Sequence, residues 1–381
     1  MRKTIFICIL YIISALPSMA AKNVILIIPD GCSSVMWASI RAMTVGTDKL
    51  LNVDLLPVQG RCRTYSADAL VTDSAASATT YASGVKTRNG VLGMNASTQK
   101  GDSTTGMPVT TVLELAQKAG YATGIITTTY VVHATPAAFY SHKADRNWYD
   151  LIGNDLANKG IDVIMGGGRD YLIPAESIDE EGSASKRKDK RNIIAEMKNK
   201  GYTYVFDKVG FDAVDPASTK KLLGLFNAGD MQYELNRAND KAGEPALWEM
   251  TAKALSILSM NKKGFFLMVE SGTIDHAAHS HETPEFLWEG IACDKTVGVA
   301  RDFAIRNKNT LLIVVPDHAT GGPNLVGMHD VSTPDSAVVS TGFPQYLLDA
   351  NGMPSPISTR PVAIQWVKST GHTGDDVTVS A

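Results

Sequence analysis

The densest group of potential metal ligands in the sequence lies at residues 270–281, where two carboxylates and three histidines occur together. Asp275 and His279 are four residues apart, so on a helical turn they share one face and can bind a single ion. Carboxylate oxygen and imidazole nitrogen are ligands that suit Zn²⁺, and a catalytic zinc keeps one position open for water or substrate. We therefore predict a zinc site here rather than a surface histidine cluster that binds metal by chance.

Two further groups of ligand-type residues occur later in the chain. Asp317 and His318 stand side by side after an apolar run, and His372 lies in the segment Gly-His-Thr-Gly-Asp-Asp. A glycine-flanked histidine in a loop indicates little by itself. His372 becomes a candidate because the zinc site predicted at Asp275 and His279 needs a third protein ligand.

Ser74 is the candidate nucleophile, in the run Val-Thr-Asp-Ser-Ala-Ala-Ser-Ala-Thr-Thr. The small residues after it can continue as a helix, and a serine at a helix start is a favoured cap, which is the purely structural interpretation. The functional interpretation is that Ser74 and neighbouring backbone N–H groups face an anion at the positive helix terminus. A serine hydroxyl is a weak nucleophile unless a base or a metal activates it. No histidine is close in sequence, but a zinc ion would serve.

Apolar runs and amphipathic patterns alternate along the chain. This alternation predicts an α/β fold with a mainly parallel sheet and helices on both of its faces. The predicted strands are 23–28, 122–127, 161–165, 264–270 and 310–315, and the predicted helices are 109–118, 247–260 and 282–306.

Several of these strands end in side chains that can bind metal. Asp30 follows the first strand, Glu270 and Asp275 follow the strand at 264–270, and the Asp317–His318 pair follows the strand at 310–315. An aspartate after a strand is often a turn or a helix cap. Since ligands bind beyond the carboxyl ends of strands in open α/β sheets, three such strands together predict one shared site.

The start of the chain has the features of a secretory signal peptide. Met-Arg-Lys precedes an apolar run and the small residues that end at Ala20, and the run is short for a membrane span, which needs about 20 apolar residues. We therefore expect residues 1–20 to be removed and the mature protein to be exported, either periplasmic or secreted. No other stretch is apolar enough to cross a membrane.

The remainder, residues 21–381, is predicted to be a single domain with a charged surface insertion near 175–245. That insertion includes a Lys/Arg-rich run at 186–191, which we interpret as solvated rather than as an anion site. Acidic and basic residues nearly balance, 39 against 36, which argues against a nucleic-acid-binding surface.

Three cysteines follow the predicted signal peptide, at Cys32, Cys62 and Cys293. Their wide spacing fits no cysteine-based zinc motif, and we expect them to be mostly buried small apolar residues. A Cys32–Cys62 disulfide stays open as an alternative.

Together these segments resemble the motifs of the alkaline phosphatase family, in the family's order and over essentially the whole mature chain. The segments that carry the resemblance are Ile-Ile-Pro-Asp30-Gly, Thr-Asp-Ser74-Ala-Ala-Ser-Ala-Thr, His133-Ala-Thr135-Pro-Ala-Ala, Asp-Arg146-Asn-Trp-Tyr, Met-Val-Glu270-Ser-Gly-Thr-Ile-Asp275-His276-Ala-Ala-His279, Asp317-His318 and Gly-His372-Thr-Gly-Asp-Asp.

The resemblance implies a site with two zinc ions and one magnesium ion. Asp275, His279 and His372 would hold the first zinc, and Asp30, Asp317 and His318 would hold the second beside Ser74. Glu270 and Thr135, with Asp30 bridging, would hold the magnesium, which prefers oxygen ligands. The guanidinium of Arg146 would bind two phosphate oxygens. His133 and His276 would lie next to the magnesium ligands and tune metal affinity.

The resemblance also implies a fold and an activity. The fold would be a three-layer α/β/α sandwich around a large, mainly parallel sheet. The activity would be hydrolysis of small phosphate monoesters to inorganic phosphate through a phosphoserine at Ser74, and family members are often homodimers.

Two alternatives stay open from the sequence. A phosphodiesterase of the same superfamily would more often use threonine as nucleophile and lack Glu270 and Thr135 as magnesium ligands. An exported zinc- or phosphate-binding protein would need no nucleophile at all, so Ser74 and Arg146 distinguish it from an enzyme.

Overall fold

The computed structural model describes residues 21–46, 48–328, 340–348, 354–366 and 370–381. The signal peptide predicted at residues 1–20 lies outside the described residues.

Strands and helices alternate through most of the described chain. The strands are β1 Asn23–Pro29, β2 Gln59–Cys62, β3 Ala122–Tyr130, β4 Val163–Gly167, β5 Thr203–Val205, β6 Leu222–Leu225, β7 Phe265–Ser271, β8 Thr310–Val314, β9 Ala319–Thr320, β10 Asn324–Met328, β11 Ser340–Leu348, β12 Pro354–Gln365, β13 His372–Thr373 and β14 Val377–Ser380. The helices are α1 Ser34–Thr44, α2 Ser74–Ser83, α3 Val112–Ala119, α4 Ala134–Ala137, α5 Tyr149–Lys159, α6 Ile193–Asn199, α7 Lys208–Ala213, α8 Leu247–Leu258, α9 Thr273–His279 and α10 Thr283–Arg306.

Nine of these strands form one sheet in the order β2-β14-β8-β1-β7-β3-β4-β6-β5. All neighbouring pairs from β8 to β5 are parallel, and only β14 pairs antiparallel, with β2 and β8. The mainly parallel sheet predicted from the sequence is therefore confirmed. A separate antiparallel sheet has the order β10-β12-β11, and β13 pairs with β9.

Side chains of the central strand β1 pack into both faces of the sheet. Ile25 and Ile27 belong to a core with residues of α1, α8 and α10, whereas Leu26 and Ile28 belong to a second core with residues of α2, α3, α5 and α6. Successive side chains of a strand point to opposite faces, so a strand buried on both sides must be apolar throughout. This arrangement confirms the three-layer α/β/α architecture.

Helix α3 shows why the predicted element boundaries shifted. The pattern predicted a helix over 109–118, but α3 begins at Val112 because Thr111 caps it: the Thr111 hydroxyl accepts from the N–H of Glu114, and the Glu114 carboxylate accepts from the N–H of Thr111. The helix ends at Ala119 and is capped by Gly120, whose φ of 81° is a left-handed conformation that favours glycine.

The range near 175–245 was predicted to be a charged surface insertion, and the structure corrects this in two ways. The range contributes β5 and β6, which form one edge of the central sheet. Within the Lys/Arg-rich run the side chain of Arg187 is fully buried; it pairs with Asp189 at 2.7 Å and donates to the carbonyl of Tyr171. It also donates to Asn154 of α5 at 2.9 Å. A buried arginine needs such partners, so this residue connects the loop to α5 rather than remaining solvated.

Cys32, Cys62 and Cys293 are all free, so the Cys32–Cys62 disulfide does not form. Cys32 and Cys293 are buried, as expected for small apolar residues, and Cys62 is partly exposed. Within the described part of the chain, no helix combines the length and apolar character that a membrane crossing requires.

Glu289 of α10 should make stability fall as pH rises. Burial raises the pKa of this carboxyl to about 7, against hydrogen bonds from the Thr273 hydroxyl and the Glu234 N–H. Because the folded state holds this proton at pH values where the unfolded chain has lost it, the contribution is full below about pH 4.5 and is lost as pH rises toward and through 7. In the Glu289→Gln variant, the loss of folding stability with rising pH should be smaller by up to about 3 kcal/mol.

The measurement is urea unfolding of chelator-treated wild type and variant at pH 5 and pH 8. The stability difference between variant and wild type should favour the variant at pH 8 and shrink or reverse at pH 5. A difference that does not change with pH would show that Glu289 titrates normally.

Candidate active site

Three adjacent strands carry the predicted ligands to one edge of the sheet. In the order β8-β1-β7, Asp317 follows β8, Asp30 follows β1, and Glu270 lies in β7 beside Ile28. Asp30, Glu270 and Asp317 are all 0–1% exposed. Neighbouring parallel strands bring their carboxyl ends together, so the site is a direct product of sheet order.

The first ligand group contains Asp275, His279 and His372, with one ligand atom of each within 4.8 Å of the others. Asp275 and His279 share a face of α9, and His279 Nε2 lies 3.3 Å from Asp275 Oδ2. His372 is positioned by the pairing of β13 with β9 and by the carbonyl of Thr72, 2.9 Å from its Nδ1. Its Nε2 lies 3.9 Å from Asp275 Oδ1.

The second group contains Asp30, Asp317 and His318, again with ligand atoms within 4.8 Å of one another, and all three residues are buried. His318 Nε2 lies 3.4 Å from Asp30 Oδ1 and 3.2 Å from Asp317 Oδ2. The Ser74 hydroxyl is 3.2 Å from the same nitrogen. Ser74 is therefore the hydroxyl that lies against the second group.

The two groups touch through an imidazole stack and a shared threonine. The rings of His318 and His372 are 3.5 Å apart between centroids at 23°. The Thr320 hydroxyl donates to Asp275 Oδ1 at 2.6 Å and lies 3.1 Å from His318 Nδ1. Sequence reasoning missed Thr320, although it stands two residues after His318.

Gly31 makes this close approach sterically allowed. A Cβ at this position would lie 2.6 Å from Asp275 Oδ1 and 2.7 Å from Thr320 Oγ1, and its φ of 68° disfavours other residues. Its N–H donates to Asp317 Oδ1 at 3.1 Å, so it also orients a carboxylate of the second group.

Thr135 and Glu270, predicted as magnesium ligands with Asp30, also lie in this region. The Thr135 hydroxyl is 3.5 Å from Asp30 Oδ2. Glu270 Oε2 accepts from the hydroxyls of Thr127 and Thr129, two β3 residues that the sequence analysis did not identify.

The pKa values of the buried carboxyl groups show that this site lacks positive charge. Burial, followed by the charges of Asp317, Asp275 and Glu270, raises the pKa of Asp30 well above its usual value. Burial also raises the pKa of Glu270 to about 7. The pKa of Asp275 is low despite burial, because His279 and the charges of other histidines favour its ionised form. The site as a whole is thus short of positive charge.

Divalent cations would supply the missing positive charge. Asp30 Oδ1 and Glu270 Oε1 are buried and have no hydrogen-bond partner among the described residues, which is costly unless a cation binds them. The oxygen and imidazole donors of both ligand groups suit zinc, and the all-oxygen set of Asp30, Thr135 and Glu270 suits magnesium.

Arg146 contacts Asp73, the residue that directly precedes Ser74 and caps helix α2. Arg146 Nη1 donates to Asp73 Oδ2 at 3.0 Å, and Asp73 Oδ1 accepts from the N–H of Ala76 in the first turn of α2. The alternative that Ser74 itself caps α2 is wrong, because Asp73 is the cap and Ser74 is the first helical residue.

His133 and His276 lie beside this arginine. Arg146 Nη2 is 3.2 Å from His133 Nε2, and the rings of His133 and His276 are 5.9 Å apart. Burial, followed by Arg146 and His276, lowers the pKa of His133 well below its usual value, which favours the neutral form of this ring. His276 Nδ1 lies 3.4 Å from Asp230, a residue with no recognisable signal in the sequence.

Comparisons with known proteins agree with one another. Residues 21–342 match the family model described as alkaline phosphatase. The chain is 38% identical over 333 residues to tissue-nonspecific alkaline phosphatase of Rattus norvegicus, and the match covers 78% of this chain and 63% of that protein. It is 32% identical over 420 residues to a membrane-bound alkaline phosphatase of Bombyx mori, covering 95% of this chain and 76% of that protein. The chain thus spans less than two thirds of the rat protein's length.

Solved structures show the same relation. Alkaline phosphatase from the Antarctic bacterium TAB5 superposes with a TM-score of 0.75 at 26% identity, covering 95% of this chain and 91% of that one. The Thermus thermophilus alkaline phosphatase superposes with a TM-score of 0.75 at 28% identity, covering 95% and 86%.

Asp73→Ala should destabilise helix α2 and release Arg146 from its ion pair with Asp73. Loss of the cap should cost about 1 kcal/mol of stability, and release of the guanidinium should lower kcat/KM toward a phosphate monoester by at least about tenfold. Unfolding curves and steady-state kinetics measure the two effects.

Asp207→Ala is the matched control, because Asp207 caps α7 in the same way, through the N–H of Gly210. The control should lose similar stability and keep its activity. Equal activity in the two variants would show that Asp73 acts only as a cap.

Proposed function

Because the chain belongs to the alkaline phosphatase family, we propose that it is a phosphate-monoester hydrolase that releases inorganic phosphate through attack by Ser74. The observation that carries this proposal is the position of the Ser74 hydroxyl, 3.2 Å from His318 in the buried second ligand group. Neither alternative accounts for it as well: a zinc- or phosphate-binding protein needs no hydroxyl there, and the serine and the Thr135–Glu270 pair favour monoesters over diesters.

In the proposed mechanism Arg146 binds and orients the phosphoryl group. Its guanidinium can donate two parallel hydrogen bonds to phosphate oxygens, and Asp73 fixes it at 3.0 Å. Ser74 occupies the first position of α2, where the helix terminus favours an anion. Arg146 and the start of α2 would thereby hold the phosphoryl group beside the serine oxygen.

Ser74 then loses its hydroxyl proton and forms a bond to phosphorus as the bond to the leaving group breaks, and the leaving oxygen takes up a proton from solvent to give the free alcohol. A water molecule attacks the resulting phosphoserine, releases phosphate and restores the hydroxyl. One zinc ion would be held by Asp275, His279 and His372, and a second by Asp30, Asp317 and His318. A magnesium ion would be held by Asp30, Thr135 and Glu270. When bound, these ions would supply positive charge and Lewis acidity. Phosphoryl transfer depends mainly on such charge stabilisation and alignment.

Cellular location and assembly belong to the same proposal. Export to the periplasm or medium follows from the signal peptide predicted at residues 1–20, and a homodimer is proposed from the family resemblance. A mutant of the TAB5 protein has been solved with Mg bound, which supports magnesium as one of the metals here.

Ser74→Ala tests the nucleophile. Hydrolysis of p-nitrophenyl phosphate should fall at least about a thousandfold, while zinc content should stay unchanged, because the hydroxyl is the only group removed. Ser83→Ala, at the other end of α2, is the control and should retain full activity. Unchanged turnover in Ser74→Ala would remove this serine from the mechanism.

Metal analysis tests the cofactors independently of activity. The purified protein should contain two zinc ions and one magnesium ion per chain, and chelation should abolish hydrolysis until both metals are restored. Glu270→Gln should lose magnesium and keep zinc, because Glu270 belongs to neither zinc group. A protein that is active after complete chelation would contradict the proposal.

A further inference from the structure

The hydroxyl of Thr320 lies between the two ligand groups and contacts one residue of each. It donates to Asp275 Oδ1 of the first group at 2.6 Å and lies 3.1 Å from His318 Nδ1 of the second group. Thr320 is fully buried, and hydrogen bonds are stronger where bulk water does not compete for them. The hydroxyl is therefore a short hydrogen-bonded connection between the two groups.

The backbone of Thr320 is also held next to both groups. Its N–H donates at 3.0 Å to the carbonyl of Gly31, the residue that follows Asp30. In the pairing of β9 with β13, Thr320 lies opposite His372. Because the side chain is β-branched, it has few χ1 rotamers. With its backbone fixed on both sides, the hydroxyl has little freedom to leave its two partners.

The direction of the two hydrogen bonds follows from the chemistry of the three side chains. A carboxylate that binds a cation is ionised and can only accept, and a hydroxyl has a single proton to donate. Because Thr320 donates that proton to Asp275, it can only accept from His318. The N–H of the neutral His318 ring is then on Nδ1, and Nε2 carries the lone pair. Nε2 lies 3.2 Å from Asp317 Oδ2, on the side of the ring where an ion of the second group would bind.

The other two histidines of the ligand groups are oriented in a different way. His372 Nδ1 lies 2.9 Å from the carbonyl of Thr72, and His279 Nδ1 contacts the carbonyl of Thr370. A backbone carbonyl only accepts, so it fixes the orientation of each of these rings without involving the other ligand group. The ring of His318 instead depends on a hydroxyl whose own direction is set by a carboxylate of the first group.

We propose that Thr320 is a positioning residue that couples the two ligand groups, because one hydroxyl orients Asp275 in the first group and the His318 ring in the second. Loss of the hydroxyl then weakens ion binding at both groups, although Thr320 belongs to neither. Hydrogen bonds from a neighbouring residue to a metal ligand change metal affinity by about 10- to 100-fold. This inference rests on the two zinc sites of the proposed function.

The test uses two variants that each keep one ligand group intact. His279→Ala removes a ligand of the first group only, and Asp317→Ala removes a ligand of the second group only. Each full-length protein is freed of metal and titrated with zinc against a competing chelator. Adding Thr320→Val, which replaces the hydroxyl by a methyl group of similar size, should weaken zinc binding about tenfold in both proteins.

Two further substitutions separate the hydroxyl from general effects on folding. Thr320→Ser keeps the hydroxyl and should leave zinc binding unchanged in both proteins. Thr251→Val is the matched control: Thr251 is also fully buried, but its hydroxyl donates to the carbonyl of Leu247 within α8. It should lower the free energy of unfolding of the metal-free protein without changing the zinc affinity.

Weaker zinc binding in only one of the two proteins, or a weakening that Thr320→Ser shares, would overturn the coupling. Hydrolysis of p-nitrophenyl phosphate by the wild type separates this result from failure of the proposed function. If the zinc affinities change as expected but the wild type does not hydrolyse the ester, Thr320 couples the groups and the proposed function is wrong. If the wild type hydrolyses the ester and Thr320→Val leaves both affinities unchanged, the proposed function stands and the coupling is wrong.

Discussion

Four carboxylates, those of Asp30, Glu270, Asp275 and Asp317, are buried together at one edge of the sheet, and the rest of the site is organised around their repulsion. Removing one charged group from water already costs several kcal/mol unless it is paired, and like charges in the same place add to that cost. The raised pKa values of Asp30 and Glu270 are the direct expression of this conflict. The divalent cations that we propose for this site would resolve it, because they would neutralise the carboxylates and could activate the neighbouring hydroxyl of Ser74.

The sheet can accommodate the repulsion between these buried carboxylates because its apolar faces are extensive and continuous. Strands β1 and β7 are buried between two helical layers, and β8 buries Leu312 and Val314 against them, so the cluster lies on a large preformed scaffold that stabilises it. Small groups complete the arrangement: Gly31 lets the backbone pass next to Asp275, and Thr320 bridges Asp275 and His318. The geometry of the candidate site thus depends also on Gly31 and Thr320, two residues outside the predicted ligand set.

The sequence was sufficient for the fold class and for which strands carry ligand-type residues, since buried parallel strands are uniformly apolar and end at recognisable polar residues. It also nominated both histidine–carboxylate groups, which the structure places together, although their role as ligands stays a prediction. What could not be predicted depended on pairing between distant segments. Asp230 lies 3.4 Å from His276, 46 positions away in the sequence. Arg187, in a run that was predicted to be solvated, is buried and donates to the carbonyls of Asp150 and Tyr171. The residues next to Asp230 and Arg187 in the sequence do not indicate these contacts.

The two ligand groups differ in how firmly the fold encloses them. Asp30, Asp317 and His318 are wholly buried, whereas the side chain of His279 is 37% exposed and His372 sits on the two-residue strand β13. Elements with so few backbone bonds open by local fluctuation, without global unfolding. If the proposed zinc ions bind as inferred, ion exchange at the Asp275–His279–His372 group would need only such a local opening, whereas release from the Asp30–Asp317–His318 group would require the sheet itself to open. When zinc is scarce, the protein would lose activity well before it unfolded, and adding zinc back would restore the activity without refolding.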